Sequence, residues 1–195
     1  MFVIGNGESR LRIDLHKLKS ETIGCNAIIR DFIVGRLVCV DRRMVQEAIS
    51  REYSNAIYTR ADWAPQFVCH DNVLKVPSLP YEGTERWDEP FQWGSGPYAV
   101  LLGAKYCKGT CNLIGFDLHS QTKTVNNVYK GTKNYDPADK RPVDPRYWVH
   151  QIGKVFEHFP KIQFTIYQEP HWELPQAWKY PNVMVDNISN INYNI

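Results

Sequence analysis

The chain has 195 residues and a formal net charge of +2, with 43% hydrophobic and 13% aromatic residues. This length fits one domain with its own core, and the hydrophobic content argues against disorder. The basic residues are scattered, so we expect no nucleic-acid partner. The longest apolar runs fall well short of the roughly 20 residues of a membrane helix, so we expect no integral membrane segment. A strand predicted from Met1 onward leaves no leader, and we expect a cytoplasmic location. The composition does not indicate an oligomeric state.

The five cysteines are an odd number, and several lie in or beside apolar runs. We therefore expect them to be reduced core thiols of an intracellular protein. Cys107 and Cys111 have no second pair of Cys or His residues nearby, so we expect no metal site. The five are Cys25, Cys39, Cys69, Cys107 and Cys111.

The first third of the chain predicts short apolar strands that alternate with helical segments. Asp41 is a natural N-cap for a helix that starts directly after it. A short amphipathic segment covers residues 11–19. The predicted strands are residues 1–4, 22–29 (ending near Asn26), 37–40 and 56–59.

The rest of the chain contains two irregular stretches, 60–94 and 118–143, which we expect to be loop-rich excursions over a site. The second is polar and is named here the lid segment. The tryptophans of residues 60–94 are expected to pack over the core. Regular elements are predicted at 73–76 (strand), 98–106 (helix), 110–114 (strand), 145–159 (helix) and 162–167 (strand), and the tail from residue 169 is expected to wrap the surface.

This alternation predicts a single-domain α/β protein with a Rossmann-like fold: a mostly parallel sheet, helices on both faces and a lid-like insertion. In such sheets ligands bind beyond the carboxyl ends of the strands. Asn6, Asn26, Asp41 and Asp117 each stand where an apolar strand ends. We expect them to meet along one edge of the sheet.

The turn Gly5-Asn6-Gly7 follows the first strand and is the main candidate for a phosphate site. Glycines allow a sharp turn whose free N–H groups meet a phosphate, and Asn6 and Ser9 add hydrogen-bonding groups. The full dinucleotide fingerprint and the P-loop lysine are both missing. The alternative is an ordinary tight turn between a strand and a helix.

Ser95 and Gly96 precede a buried helix and repeat this pattern. They could hold a second oxygen of the same ligand. The serine could equally be a helix cap.

The order of these motifs resembles the bacterial sialyltransferase family that uses CMP-sialic acid, and related pterin-diphosphokinase-like proteins with the same glycine turn. The resemblance covers roughly residues 2–41 and 94–118. It rests on Val-Ile-Gly-Asn-Gly-x-Ser, Gly-Cys-Asn, a strand ending in Asp41, Ser-Gly-x-Tyr-Ala and Leu-Ile-Gly-Phe-Asp. It implies a Rossmann-like single domain that transfers a sugar without a metal.

The resemblance also implies roles for individual residues. Gly5, Asn6 and Gly7 would hold the nucleotide phosphate and ribose. Asn26 would contact the phosphate or sugar. The full predicted nucleotide-binding set is Gly5, Asn6, Gly7, Ser9, Asn26, Asp41 (towards the nucleoside), Ser95, Gly96 (towards the base or phosphate) and Asp117.

The chain departs from the family at three positions. Glu8 stands where the family has proline, and a carboxylate there would repel a phosphate unless it points away. Asp41 stands where asparagine is usual. The family's general base is a histidine just before the last helix, a register that falls near Asp144 here.

Two histidines are therefore candidates for the general base. His150 lies inside the predicted last helix, and His119 lies just past a strand end. In the lid segment, Tyr129, Lys130 and Tyr135 could support a leaving phosphate.

Three functions remain open from the sequence. The first is a metal-independent glycosyltransferase that takes a nucleotide-sugar and a glycan or small-molecule acceptor and needs no cofactor. The second is Mg²⁺-dependent pyrophosphate transfer, with Asp41 and Asp117 as the metal ligands. The third is a non-catalytic module that binds a nucleotide or a sugar.

Overall fold

The computed structural model describes residues 1–118 and 124–194, so the candidate base His119 lies outside the described residues. One eight-stranded sheet runs through the molecule in the order β5-β4-β3-β2-β1-β6-β7-β8, and each neighbouring pair is parallel. The strands are β1 (Phe2–Ile4), β2 (Thr22–Cys25), β3 (Arg36–Val38), β4 (Ala56–Thr59), β5 (Val73–Lys75), β6 (Thr110–Ile114), β7 (Gln163–Gln168) and β8 (Val183–Asn187).

Within residues 1–118 and 124–194, three α-helices cover the two faces of the sheet: α1 (Arg42–Ser50), α2 (Ser95–Tyr106) and α3 (Arg146–His158). Side chains alternate between the faces, so Phe2 and Ile4 of β1 join the core under α1, whereas Val3 joins the core under α2 and α3. Burial on both faces explains why the strands are continuous apolar runs. The predicted Rossmann-like α/β fold is confirmed.

The helices follow the sequence signals that predicted them. Asp41 caps α1, since its carboxylate accepts a hydrogen bond from the backbone N–H of Arg43 at 2.8 Å. Helix α2 is apolar almost all round because it lies centrally on the sheet and packs against β1, β2 and β3. Among the described residues, no helix is both long and apolar enough to cross a lipid bilayer.

Two predicted elements differ in the structure. The strand expected over residues 22–29 stops at Cys25, and Asn26, with a left-handed φ of 53°, opens a 3₁₀ helix (Asn26–Arg30). The tail was expected to wrap the surface, and this is wrong: β8 adds a parallel edge strand beside β7, and Trp178 is fully buried. The buried indole N–H of Trp178 has a hydrogen-bond partner, since it donates to the carbonyl of Val149 in α3.

The other expectations are met in part. Trp93 is 1% exposed and packs against α2, as expected, whereas Trp87 is 39% exposed. All five cysteines are free thiols. Cys25, Cys39 and Cys111 are buried, but Cys69 is exposed and is not a core residue.

Candidate functional site

The strand order reverses between β1 and β6, and a cavity of about 310 Å³ lies at the carboxyl ends of these strands. In open α/β sheets, ligands bind in the crevice outside the carboxyl ends of the strands where the strand order reverses. The N-terminus of α2 and the first turns of α3 form one side of the cavity wall. Three larger hollows, of about 590, 570 and 530 Å³, lie away from the strand reversal: at the amino ends of β2 to β4, beside α1, and between the segments 60–62, 76–79 and 90–91.

The cavity collects most of the residues that the sequence singled out. Asn6, Asn26, Asp41 and Asp117, one from each of four strand ends, all lie on its wall. Ser9 lies behind the wall, hydrogen-bonded to Asp117. The remaining predicted wall residues are Gly5, Gly7, Ser95 and Gly96.

The backbone amides of the glycine turn are not free, and this corrects the expectation that they cradle a phosphate. The N–H of Gly5 donates to the carbonyl of Ile114 at 2.8 Å, and that of Gly7 to the carbonyl of Gly115 at 2.9 Å. The N–H of Glu8 donates to Asn126 Oδ1 at 2.8 Å. Of this turn, only Asn6 keeps a backbone N–H without a partner among the described residues.

Close packing explains why this turn contains glycines. A Cβ on Gly5 would overlap the carbonyl oxygen of Gly115, and one on Gly7 would lie 2.5 Å from the Cγ of Asp117. Gly115 itself has φ of 71°, a left-handed conformation that favours glycine. The glycines allow the loops after β1 and β6 to touch.

Asp117 is the buried carboxylate at the centre of this contact, 7% exposed. Its Oδ2 accepts the backbone N–H of Ser9 at 2.9 Å, and its Oδ1 accepts the Ser9 hydroxyl and Gln168 Nε2, the latter at 3.1 Å. Trp172 donates its indole N–H to the Asp117 carbonyl. These donors fix the orientation of the carboxylate at the cavity wall.

Arg10 is a buried residue that sequence reasoning missed. Its side chain is 1% exposed and donates to Asn6 Oδ1 at 3.2 Å, to Asp31 at 2.9 Å and to the hydroxyl of Tyr129. Asn6 in turn donates to the carbonyl of Cys25 at 3.0 Å. The side chain of Asn6 therefore holds β1, β2 and Arg10 together.

The three predicted lid residues do not lie on the cavity wall. The Tyr129 hydroxyl is bound to Asp31 and Arg10, and the Tyr135 hydroxyl accepts from the N–H of Ala27 at 3.4 Å. Burial raises the pKa of both phenols.

Lys130 pairs with Glu8 at 2.5 Å, so the carboxylate beside the glycine turn is neutralised by the lid segment. Asn126 and Asn127 are the lid residues on the wall. The part of the lid segment from Thr124 onward thus fastens the glycine turn from outside.

The N-terminus of α2 provides the open side of the cavity. In the described residues, neither Ser95 nor Gly96 donates its backbone N–H to a protein acceptor. The Ser95 hydroxyl donates to Asn26 Oδ1 at 2.8 Å and accepts the N–H of Val40 at 3.1 Å. No partner for Asn26 Nδ2 occurs in the described ranges. Two backbone donors, a helix dipole and an amide group therefore face the cavity.

His150 is not on the cavity wall, and the structure does not place it as a base there. Successive helical residues turn by roughly 100°, so His150 points away from Trp148, which does line the cavity. Its Nε2 lies 2.6 Å from Asp88 Oδ1. Burial alone would raise the pKa of Asp88, but hydrogen bonds from His150 and Tyr81 lower it.

The 60–94 stretch is therefore not an excursion over the cavity. Its segment Arg86–Asp88 packs against α3, where Asp88 meets His150, whereas β5 within the stretch is an edge strand of the sheet. Gly94 is the one contribution of the stretch to the described wall.

The wall carries two carboxylates, Asp41 and Asp117, and no Lys, Arg or His within the described residues. Asp41 is already paired with Arg43 at 2.7 Å, and this hydrogen bond lowers the pKa of Asp41. Asp117 already accepts three hydrogen bonds, two from Ser9 and one from Gln168. This arrangement does not suit a pair of carboxylates waiting for Mg²⁺. In the described part of the chain, no group of three or more His, Cys, Asp or Glu residues could hold a metal.

Comparisons of the chain with protein-family models, with curated proteins and with solved structures gave no match.

Proposed function

We propose that the chain is a glycosyltransferase of the metal-independent, sialyltransferase-like kind, and that its nucleotide-sugar donor binds in the cavity between β1 and β6. The supporting observation is convergence: residues from four separate strand ends and from the start of α2 line one cavity at the reversal of strand order. That position is where α/β sheets of this topology bind nucleotides.

The donor phosphate is best placed at the N-terminus of α2, rather than at the glycine turn. The backbone N–H groups of Ser95 and Gly96 have no protein acceptor in the described residues, and Asn26 Nδ2 stands beside them. A helix N-terminus with free amides is a favourable environment for an anion.

The charge of the wall favours a ligand with a single phosphate. Two carboxylates and no described cationic side chain face the cavity, so each additional phosphate charge would meet repulsion. Donors with a diphosphate usually depend on Mg²⁺ or on Arg and Lys side chains. A nucleoside monophosphate sugar fits this wall better.

Transfer also requires a group that accepts the proton of the attacking hydroxyl. Asp117 is the oriented carboxylate on the wall, and His119 follows Leu118, which is also on the wall. We take these two as the candidates and set His150 aside because it is bound to Asp88.

The second candidate function is non-catalytic binding of the same ligand class. It is favoured by the position of His150 on the outer side of α3. In both proposals a nucleotide or nucleotide-sugar binds in the same cavity. They differ only in whether the protein then cleaves the donor.

The first experiment is a thermal-shift panel with CMP, UDP, GDP and ATP and their sugar conjugates, each with and without EDTA. We expect a nucleoside monophosphate and its sugar conjugate to stabilise the chain equally in both conditions. A response confined to diphosphates or triphosphates with Mg²⁺ would overturn the proposal.

The site is tested by Asn26→Asp. Aspartate also tolerates the left-handed backbone and keeps the acceptor for Ser95, but it puts a negative charge where the amide donor stood. We expect the thermal shift to disappear, corresponding to at least a tenfold weaker affinity, or about 1.4 kcal/mol. The matched control is Asn192→Asp, an exposed position off the cavity wall, which should leave the shift unchanged.

Turnover separates the two candidates. A transferase should release the nucleotide from its donor slowly in water and faster with an acceptor, and His119→Ala or Asp117→Asn should abolish release in a chain that still folds. His150→Gln should leave release unchanged. Binding without any release, with every donor tested, would favour the non-catalytic module.

A further inference from the structure

The hollow of about 570 Å³ beside α1 lies between this helix and the lid segment, and its wall is rich in positive charge. Glu47 is the one carboxylate on this wall within the described residues. The charges are the reverse of those on the cavity wall, where two carboxylates and no described cationic side chain stand. The cationic residues of the hollow are Arg30, Arg43, Arg51 and Lys133.

Arg30 is the fixed part of this wall. Its side chain is 14% exposed, and its guanidinium donates to both carboxylate oxygens of Glu47, at 2.6 and 2.7 Å, and to the Thr132 hydroxyl at 2.6 Å. The Nε of Arg51 also donates to Glu47, at 3.3 Å. One carboxylate therefore faces two guanidinium groups, and the wall keeps an excess of positive charge.

Arg43 connects the hollow with the cavity. Its guanidinium is paired with Asp41, which lies on the cavity wall. From Arg43 the hollow follows one face of α1 to Arg51, because residues three or four positions apart share a helix face. The rise along the helix between these two residues is about 12 Å. A ligand in the hollow would have one end beside the candidate site.

We propose that this hollow binds the acidic group of the acceptor, and that the acceptor is a sugar that carries a carboxylate or a phosphate. The role in transfer rests on the proposed function, whereas the binding of an acidic sugar by the hollow does not. An acidic acceptor finds no counter-charge among the described residues of the cavity wall, and the hollow next to it supplies one.

The exposed cations of the hollow are suited to this ligand. Arg43, Arg51 and Lys133 are all exposed, and guanidinium groups match carboxylate and phosphate oxygens in geometry. The ion pair of Arg43 with Asp41 is itself at the surface, so an incoming anion can share this guanidinium at little cost.

The rest of the wall favours a sugar over a nucleotide or a nucleic acid. No aromatic side chain lines the hollow in the described part of the chain, so a base has no surface on which to stack. Gln46, Ser50 and Asn134 add polar groups that sugar hydroxyls can contact.

The test is an NMR titration of the whole chain with glucose 6-phosphate, glucuronate and glucose. The three probes share one ring and carry a phosphate, a carboxylate or no charge. We expect at least one charged sugar to bind and glucose not to bind, with shifted amide signals concentrated in α1 and residues 132–134. The stronger of the two charged sugars identifies the acidic group. Higher salt should weaken its binding, because exposed charges are screened.

A double variant, Arg51→Gln with Lys133→Gln, tests the site. A single exposed ion pair contributes little, so two cations are removed together. We expect the affinity for the charged sugar to fall about tenfold. The matched control is Lys75→Gln with Arg86→Gln, two exposed cations outside the hollow, which should leave the affinity unchanged.

The nucleotide thermal-shift panel, repeated on the double variant, keeps this proposal distinct from the proposed function. An unchanged nucleotide shift with weaker binding of the charged sugar supports two separate sites. Binding of the charged sugar to a chain that responds to no nucleotide would overturn the proposed function and leave the hollow as a site for an acidic sugar.

Three results would overturn the assignment of the hollow. They are binding of none of the charged sugars, equal binding of glucose, and a loss of affinity that is the same in the double variant and in its control. Binding of a single-stranded oligonucleotide in place of the sugars, lost in the same double variant, would overturn it in favour of a nucleic-acid site.

Discussion

The two sides of the cavity both contain glycines, but the glycines have opposite structural roles. On the β1 side, Gly5 lies so close to the carbonyl of Gly115 that no side chain fits, and its backbone N–H is bound to Ile114. On the α2 side, a Cβ on Gly96 would meet only the ring of Phe116, at 3.6 Å. The first side is closed by internal contacts, whereas the second is open to a ligand.

This difference shows that a glycine-rich turn after a first strand is not by itself evidence of a phosphate site. The amides near β1 are taken by acceptors from the loop after β6 and from Asn126 in the lid segment, more than 100 residues along the chain. An anion site needs glycines together with unclaimed donors, and here those donors are at α2.

The largest effect is expected for Gly5→Ala, which would break the closed side. The new Cβ would overlap backbone atoms of Gly115, which cannot rotate away as a side chain could. We expect a loss of roughly 3 kcal/mol in the free energy of unfolding, measured by urea denaturation. A loss below about 1 kcal/mol would show that the loops after β1 and β6 are not packed as tightly as described.

A smaller loss is expected for Arg10→Met, which keeps the buried volume and removes the hydrogen bonds to Asn6, Asp31 and Tyr129. Asp31 is 46% exposed and can be rehydrated, so the cost should be about 2 kcal/mol rather than that of a fully buried pair.

Arg12→Met is the matched control for Arg10→Met. The Arg12 side chain is 66% exposed and pairs with Glu169 at the surface. Its replacement should change the free energy of unfolding by less than about 0.5 kcal/mol. Equal losses for the two variants would contradict a structural role for Arg10.

The sequence was sufficient for seven of the eight strands and for the location of the cavity, because apolar runs mark the strands and an Asn or Asp follows several of them at the edge where they end. It was not sufficient for contacts that depend on distant segments. Arg10 looks like a surface residue until Asp31 and Tyr129 are placed beside it. The face on which His150 lies depends on Asp88, which no helical periodicity reveals. Strand β8 was missed because its short Val-Met-Val run is set among Asn and Pro residues.

Glu47 in α1 links this helix to two other segments. Its carboxylate forms an ion pair with Arg30 at 2.6 Å and accepts a hydrogen bond from Asn134 of the lid segment at 3.1 Å. The hydrogen bond from Arg30 is the main cause that lowers the pKa of Glu47 to about 2. A lowered pKa in the folded state stabilises the protein above the ordinary pKa of glutamate, and this contribution is lost as the pH falls towards 2.

Glu47→Gln should therefore reduce the free energy of unfolding by about 1.5 kcal/mol at pH 7, allowing for partial solvent screening. The difference from the unmodified chain should shrink between about pH 4.5 and pH 2. Urea denaturation at several pH values measures both. Glu173→Gln, an exposed position, is the control, and its curve should run parallel to that of the unmodified chain at every pH.

The smallest effect on stability, and the sharpest test of the comparison, is Gly96→Ala on the open side. Because φ at Gly96 is not left-handed and the added methyl group meets only ordinary contact, alanine should leave the free energy of unfolding unchanged or raise it by up to about 1 kcal/mol. The same methyl group would stand among the donors of α2, so the affinity for a phosphate ligand should fall about tenfold. Calorimetric titration measures the affinity for the phosphate ligand, and urea denaturation measures the free energy of unfolding. A variant that unfolds as easily as Gly5→Ala would mean that both sides of the cavity are closed, and that the donors of α2 are held by the protein itself.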